Sequence, residues 1–234
     1  MVRGLMWFRS DLRIDDNPAL LEAANSCDEL IGAYFFSQKQ WNLHHESNVK
    51  KGFLQQNLIA LEQQLRKLNI PLIVIQTDSF MSLPEDLQRF AETHQINSCH
   101  WNNEFGVNEN RRDDAVEALL NSNSIHYTRH HDQVIYEPGF LRTGQNKPFS
   151  VFTPFKRRWI ENFSMSFLDL KQLVKPLKKT NLFSDLSALT FIKSHQVNMD
   201  AWPAGEANAF VRLQEFLECK INNYSESRNT PILE

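Results

Sequence analysis

Glycine, cysteine and net charge are all in short supply in this chain of 234 residues. Only seven glycines occur, and neither G-x-G-x-x-G nor G-x-x-x-x-G-K-[ST] is present, which excludes a dinucleotide fingerprint and a P-loop. The three cysteines, Cys27, Cys99 and Cys219, are odd in number, widely spaced and without a C-x-x-C pair. They form neither a disulfide framework nor a zinc motif, and a reducing, cytoplasmic compartment is the simplest expectation. Lys and Arg number 25 against 28 Asp and Glu, a net charge of −3 that excludes a basic coat for nucleic acid but allows a local basic patch. No apolar run reaches the length of a membrane span, and the opening Met1–Arg9 is too short and too charged for a signal segment. What remains is an ordinary globular composition, 41% hydrophobic and 23% charged, with enough residues to build a core unaided.

Short apolar runs alternate with longer amphipathic ones. Leu5–Phe8, Leu30–Phe36, Pro71–Ile75, Ile96–Trp101 and Ser124–Tyr127 read as five strands. Between them, Asp16-Asn17-Pro18 offers a cap and a first-turn proline for a helix through Ala24. Val49–Leu68 carries Phe53, Leu54, Leu58, Leu61, Leu65 and Leu68 at helical spacing, and Leu87–His94 and Asn108–Leu120 read as further helices. Strands apolar on both faces and separated by helices predict an α/β fold, a doubly wound five-stranded parallel sheet covered on both sides, over residues 1–135. After Tyr136 the alternation stops. A turn-rich loop and a polar, extended connector are expected over 136–200, followed by a helix at Glu206–Cys219 within 201–234. The chain reads as the front part of something longer, or as a module that packs on a partner.

In such a sheet, ligands collect at the carboxyl ends of the strands. After the first strand, Asp11, Asp15 and Asp16 could hold a metal, but Arg–Asp pairing and helix capping is the commoner use of such a loop. After the fourth strand, Asn108 and Glu109 open a helix. An amide beside a carboxylate suits a heterocycle edge with both donors and acceptors, such as a pterin or purine, whereas an isolated pair there is more often a cap with a dipole-favoured Glu. His44-His45 and Arg129-His130-His131-Asp132 read as surface loops with ordinary hydrogen bonds. No serine sits in a G-x-S-x-G context, so nucleophilic catalysis has no support. Phe152, Phe155 and Trp159, at helical spacing beside Lys156-Arg157-Arg158, are expected to be core, with stacking on single-stranded nucleic acid as the alternative.

The run Trp7-Phe8-Arg9-Ser10-Asp11-Leu12-Arg13-Ile14-Asp15-Asp16-Asn17-Pro18-Ala19-Leu20 resembles the opening of the DNA photolyase/cryptochrome family, W-F-R-x-D-L-R-x-x-D-N-x-A-L. The likeness continues through Gln40-Trp41, Val107-Asn108-Glu109 with Arg112-Asp113, Thr143-Gly144, Val151–Phe155 with Trp159, and Tyr224-x-x-x-Arg228, in family order across the chain. It is nearest to the bacterial cyclobutane-pyrimidine-dimer photolyases with a folate antenna. The resemblance implies an α/β antenna domain, a linker, and the first helix of a truncated helical domain. It implies that Asn108 and Glu109 hold 5,10-methenyltetrahydrofolate, that Tyr224 edges an FAD pocket, and that Arg228 faces DNA phosphate. A complete parent would be a monomer, without a membrane partner, that repairs UV-damaged DNA by light-driven electron transfer from reduced FAD. The 234 residues alone would lack repair activity, since the flavin-phosphate motif and most of the dimer pocket are missing. No catalytic or metal-binding residue is expected in them. A cryptochrome-like blue-light receptor and a free-standing nucleotide-binding module remain as alternatives.

Overall fold

The computed structural model describes residues 1–168, 170, 175–191 and 202–229. Five strands, β1 (Arg3–Phe8), β2 (Glu29–Phe36), β3 (Leu72–Gln76), β4 (Ser98–Asn102) and β5 (His126–His130), form one wholly parallel sheet in the order β3-β2-β1-β4-β5. The chain runs outward from β1 to β3 and then returns to lay β4 against the other side of β1. That reversal parts the loops after β1 and β4 and leaves a crevice between them.

Alternation along β1 divides the core. Met6 and Phe8 face α1 (Pro18–Ser26) and α3 (Asn48–Lys67), where Leu20, Leu58, Leu61 and Leu65 are fully or almost fully buried. Leu5 and Trp7 face α4 (Leu83–Thr93) and α5 (Val107–Ser122) through Leu87, Val116 and Leu120. Burying each such side chain contributes about 1.5–3 kcal/mol. Helix starts follow the expected chemistry. The Asn17 side chain accepts from the Leu20 N–H ahead of Pro18, and Ser37 and Ser47 cap α2 (Gln38–Leu43) and α3 in the same way.

The strands at β4 and β5 lie a residue or two later than the apolar runs suggest. Gln95 and Ser124 take left-handed backbone (φ 55° and 56°) that finishes the preceding helices, so pairing begins only after them. Residues 175–191, expected as part of an extended connector, are docked on the sheet. The Val74 N–H donates to the Asp185 carbonyl and the Asp185 N–H to Leu72, at 2.9 Å each, so this strap pairs with the outer edge of β3. Leu189 is buried in the α1/α3 core, and Leu177 and Leu186 pack against it. The remainder of that expected connector, 171–174 and 192–200, lies outside the described residues.

The expectation that Phe152, Phe155 and Trp159 form core is corrected. Helix α6 (Phe152–Asn162) has no buried residue and Phe152 is 72% exposed. Its aromatics pack locally instead, Trp159 stacking on Phe163 (5.2 Å) and meeting Tyr136 edge-on (5.6 Å). The helix expected at Glu206–Cys219 is α-helical as α7 (Glu206–Glu215), then widens through a π turn at Phe216–Lys220 before α8 (Tyr224–Ser227). No helix among the described residues is long and apolar enough to cross a membrane.

Candidate functional site

The crevice at the β1/β4 reversal opens into a cleft of about 1640 Å³. Its floor is the carboxyl edge of the sheet, with Trp7, Arg9 and Asp11 after β1, Tyr34 and Phe36 from β2, and Glu104 after β4. One flank is α2 and α3, with Trp41, Lys50 and Lys51, and the opposite one is the start of α5. Residues 202–213 close a further side.

The floor is held by a buried charge network. Asp113, fully buried on α5, accepts both Oδ atoms' worth of hydrogen bonds from Arg9 Nη1 (2.8 and 2.7 Å) and two more from Arg112 (2.9 and 2.7 Å). Arg112 also donates to Glu104 at 2.9 Å, and Ser10 does so at 2.8 Å. Burial pushes the Glu104 carboxyl up, but the Arg9 and Arg112 guanidiniums and those two donors outweigh it and hold the group below the usual carboxylate range. Both guanidiniums lie 4.8 Å from the centre of the Trp7 ring, which ties the network to the apolar core below.

The Asp11-to-Asp16 loop is built by pairing and capping. Asp11 accepts from the Arg9 N–H (2.8 Å) and from Asn102 (2.5 Å), and Asn102 in turn donates to Asn17. Burial raises the Asp11 carboxyl above its usual range despite these bonds. Arg13 pairs with Asp132 (2.5 Å) and donates to the carbonyls of Asp15 and Asp16. Among the described residues, no group of three His, Cys, Asp or Glu is placed to hold a metal. The His pairs are separated. His44 meets Gln40 on α2, while Arg129 and His130 belong to β5 rather than to a loop.

Asn108 and Glu109 occupy the second and third positions of α5, and both line the cleft. The cap residue is Gly106, so Asn108 is not committed to capping, and its side chain is exposed. The Glu109 carboxylate folds back over Gly106, where a Cβ would collide with its Oε2. Tyr224 and Arg228 are not in the cleft. Tyr224 is half exposed on α8, its ring edge-on to Phe216 at 5.7 Å, and Arg228 is exposed. The structure therefore unites two of the four expected site residues and leaves the other two on a separate surface.

Two cations of the cleft stand out, of which Lys51 belongs to no motif noted in the sequence. Lys51 is only 7% exposed, and among the described residues no hydrogen bond or ion pair engages its ammonium. Arg9 Nη2 is buried without a hydrogen-bond partner. A signal for Lys51 was available, because it falls on the same stripe as Leu54, Leu58, Leu61 and Leu65, where a lysine is out of place unless something answers its charge.

A sequence model described as DNA photolyase matches residues 4–178. The chain belongs to the DNA photolyase family. Curated family relatives include a deoxyribodipyrimidine photo-lyase of Buchnera aphidicola, 32% identical over all of this chain and 49% of its own length. Another, from Vibrio cholerae, is 29% identical over 98% of this chain and 50% of its own. The chain thus spans about half the length of the curated relatives it matches. Among solved structures, a class III photolyase of Agrobacterium tumefaciens superposes with a TM-score of 0.82 at 23% identity, covering 99% of this chain and 48% of that one. A Synechocystis cryptochrome gives 0.69 at 24% identity, covering 98% and 50%. At these identities the two structures share the fold of this family member.

Proposed function

We propose that this chain is the antenna-binding region of a light-driven DNA repair enzyme, with the β1/β4 cleft as the chromophore site. The observation that carries the reading is the meeting, in one cleft at the sheet's reversal point, of Asn108, Glu109 and the unanswered charge of Lys51. A reduced folate such as 5,10-methenyltetrahydrofolate suits these groups. The Asn108 amide both donates and accepts, the Glu109 carboxylate accepts, and Lys51 answers a carboxylate of a glutamyl tail. Bound there, the chromophore would supply absorption in the near ultraviolet. This chain's own groups orient it and, through the apolar walls at Phe36 and Trp41 (stacked, 4.9 Å), exclude water.

In the whole protein, the partners would be FAD and UV-damaged DNA, and the reaction would be cleavage of pyrimidine dimers by electron transfer from reduced flavin. Tyr224 is proposed at the edge of the flavin pocket and Arg228 on the phosphate-facing rim. Residues 1–135 are proposed as the antenna unit and 201–234 as the beginning of the flavin-binding part, with 136–200 between them. The complete gene product, reduced and illuminated, is expected to restore an oligonucleotide containing a cyclobutane dimer. Bound FAD without repair would assign it to light signalling instead.

The site itself is tested separately. Asn108→Ala with Glu109→Ala is expected to weaken binding of methenyltetrahydrofolate about tenfold or more, from the loss of at least one charged hydrogen bond. The measurement is near-ultraviolet absorbance after gel filtration with FAD retained, and unchanged folate content would remove the assignment. Gly106→Ala offers a gentler probe. The new methyl displaces only the flexible end of Glu109, so stability should change by less than about 1 kcal/mol while folate affinity falls. Equal affinity by titration would show that Glu109 takes no part.

A further inference from the structure

We infer that Glu206 is a positioning residue that seats α7 as a further wall of the chromophore cleft, an inference that rests on the proposed use of that cleft. Its carboxylate spans two adjacent backbone donors of the loop after β1, Oε2 accepting from the Ile14 N–H at 3.1 Å and Oε1 from the Asp15 N–H at 3.0 Å. Beside it, the Gly205 N–H donates to Asn57 Oδ1 on α3 at 2.9 Å. Gly205 has φ +98°, and the space where a Cβ would stand is 3.2 Å from the Ala60 methyl, so the chain passes close over α3 on its way into α7.

These contacts carry the seating because apolar burial does not. Helix α7 has no buried residue, and Phe210, Val211 and Leu213 are each more than half exposed. Yet Gly205, Glu206, Phe210 and Leu213 all line the cleft. The wall is therefore pinned at its first turn by polar bonds, onto a loop that is itself fixed by the Arg13–Asp132 pair and by Asp11 on Asn102. The side chain chemistry is specific. Two neighbouring N–H donors call for two acceptor oxygens on one planar group, which a carboxylate supplies and a carboxamide does not.

The clamp predicts that the cleft's contents leave faster when it is cut. In the full chain, Glu206→Ala should speed amide hydrogen exchange at Ile14 and Asp15, and dissociation of bound 5,10-methenyltetrahydrofolate, each by about tenfold or more. The melting temperature should stay within a few degrees, because the sheet core is untouched. Glu206→Gln should fall on the side of the alanine variant, since its amide nitrogen opposes an N–H donor. Glu218→Gln, just past the same helix and bonded to Gln214 outside the cleft, should leave both rates as they are. Unchanged exchange at Ile14 and Asp15 would overturn the clamp. Faster exchange with unaltered folate release, while the Asn108/Glu109 double variant still loses folate, would overturn the inference and leave the chromophore site standing. Wild-type protein that retains no folate would overturn the reading beneath both.

Discussion

Asp113→Asn should lower the folding free energy by about 3–5 kcal/mol, the usual cost of leaving buried cations without their anion. Asp113 is wholly buried and receives Arg9 and Arg112 directly, with Arg129 Nη2 at 3.6 Å. The amide keeps the volume but removes the charge, and it turns an NH₂ toward guanidinium donors. Glu104 alone then faces two side chains that are 6% and 5% exposed. The check is urea denaturation of the single variant against Arg129→Gln. Arg129 is 22% exposed, its ion partners Glu117 and Asp114 keep contact with water at 23% and 71% exposed, and Asp113 keeps Arg9 and Arg112, so the loss of Arg129 should cost about 1 kcal/mol or less. A midpoint for Asp113→Asn no lower than that of Arg129→Gln would show that the network does not hold the sheet to α5.

The second large effect is on acid stability. His100 is 1% exposed on β4, its Nε2 against Ser98 Oγ at 2.8 Å and near Cys27 Sγ at 3.8 Å, while Nδ1 has no partner. Burial pulls its pKa down to about 4, with His130 and His126 adding to the effect. His130 is itself shifted down by burial. An unfolded histidine takes its proton near pH 6.5, so between there and about pH 4 the unfolded chain binds a proton that the folded chain refuses. The contribution of this group is therefore complete above pH 6.5, declines as the pH falls, and levels off below about 4, for a total of about 3 kcal/mol. Asp11, with its carboxyl shifted up, acts in the opposite direction. The quantity to follow is thus the stability difference between wild type and His100→Gln across this window. That difference should shift by about 3 kcal/mol in favour of the variant from pH 7 to pH 4, and a constant difference would refute the assignment.

The parallel sheet could be read in the sequence because its two signals act locally. Apolar runs such as Leu30–Phe36 mark strands buried on both faces, and Asn17-Pro18 marks a helix start. That Asn108 and Glu109 line the cleft was legible because a strand end followed by a helix start lies at the sheet's carboxyl edge, where such clefts form. Other features depend on partners far away in the chain. Whether Phe152 is core depends on what packs above α6, and helical spacing contains no record of that. The polar strap at 175–191 carries no strand pattern, because its pairing is made by one backbone bridge at Asp185 and one anchor at Leu189. The role of Glu206 needs Ile14, 192 residues away, and no local motif announces such a distance.

The docked strap also bears on how this protein can be cut. A piece trimmed to the five strands and their crossover helices would lose Leu189 from its interior and bare the backbone of Leu72 and Val74. Such a raw margin invites another copy to pair along it, so the shorter piece would tend to stick to itself. Five alternating units look self-sufficient on paper, but the tidy smaller module is finished only by a ribbon that arrives a hundred residues after β3, roughly the span from Leu72 to Asp185.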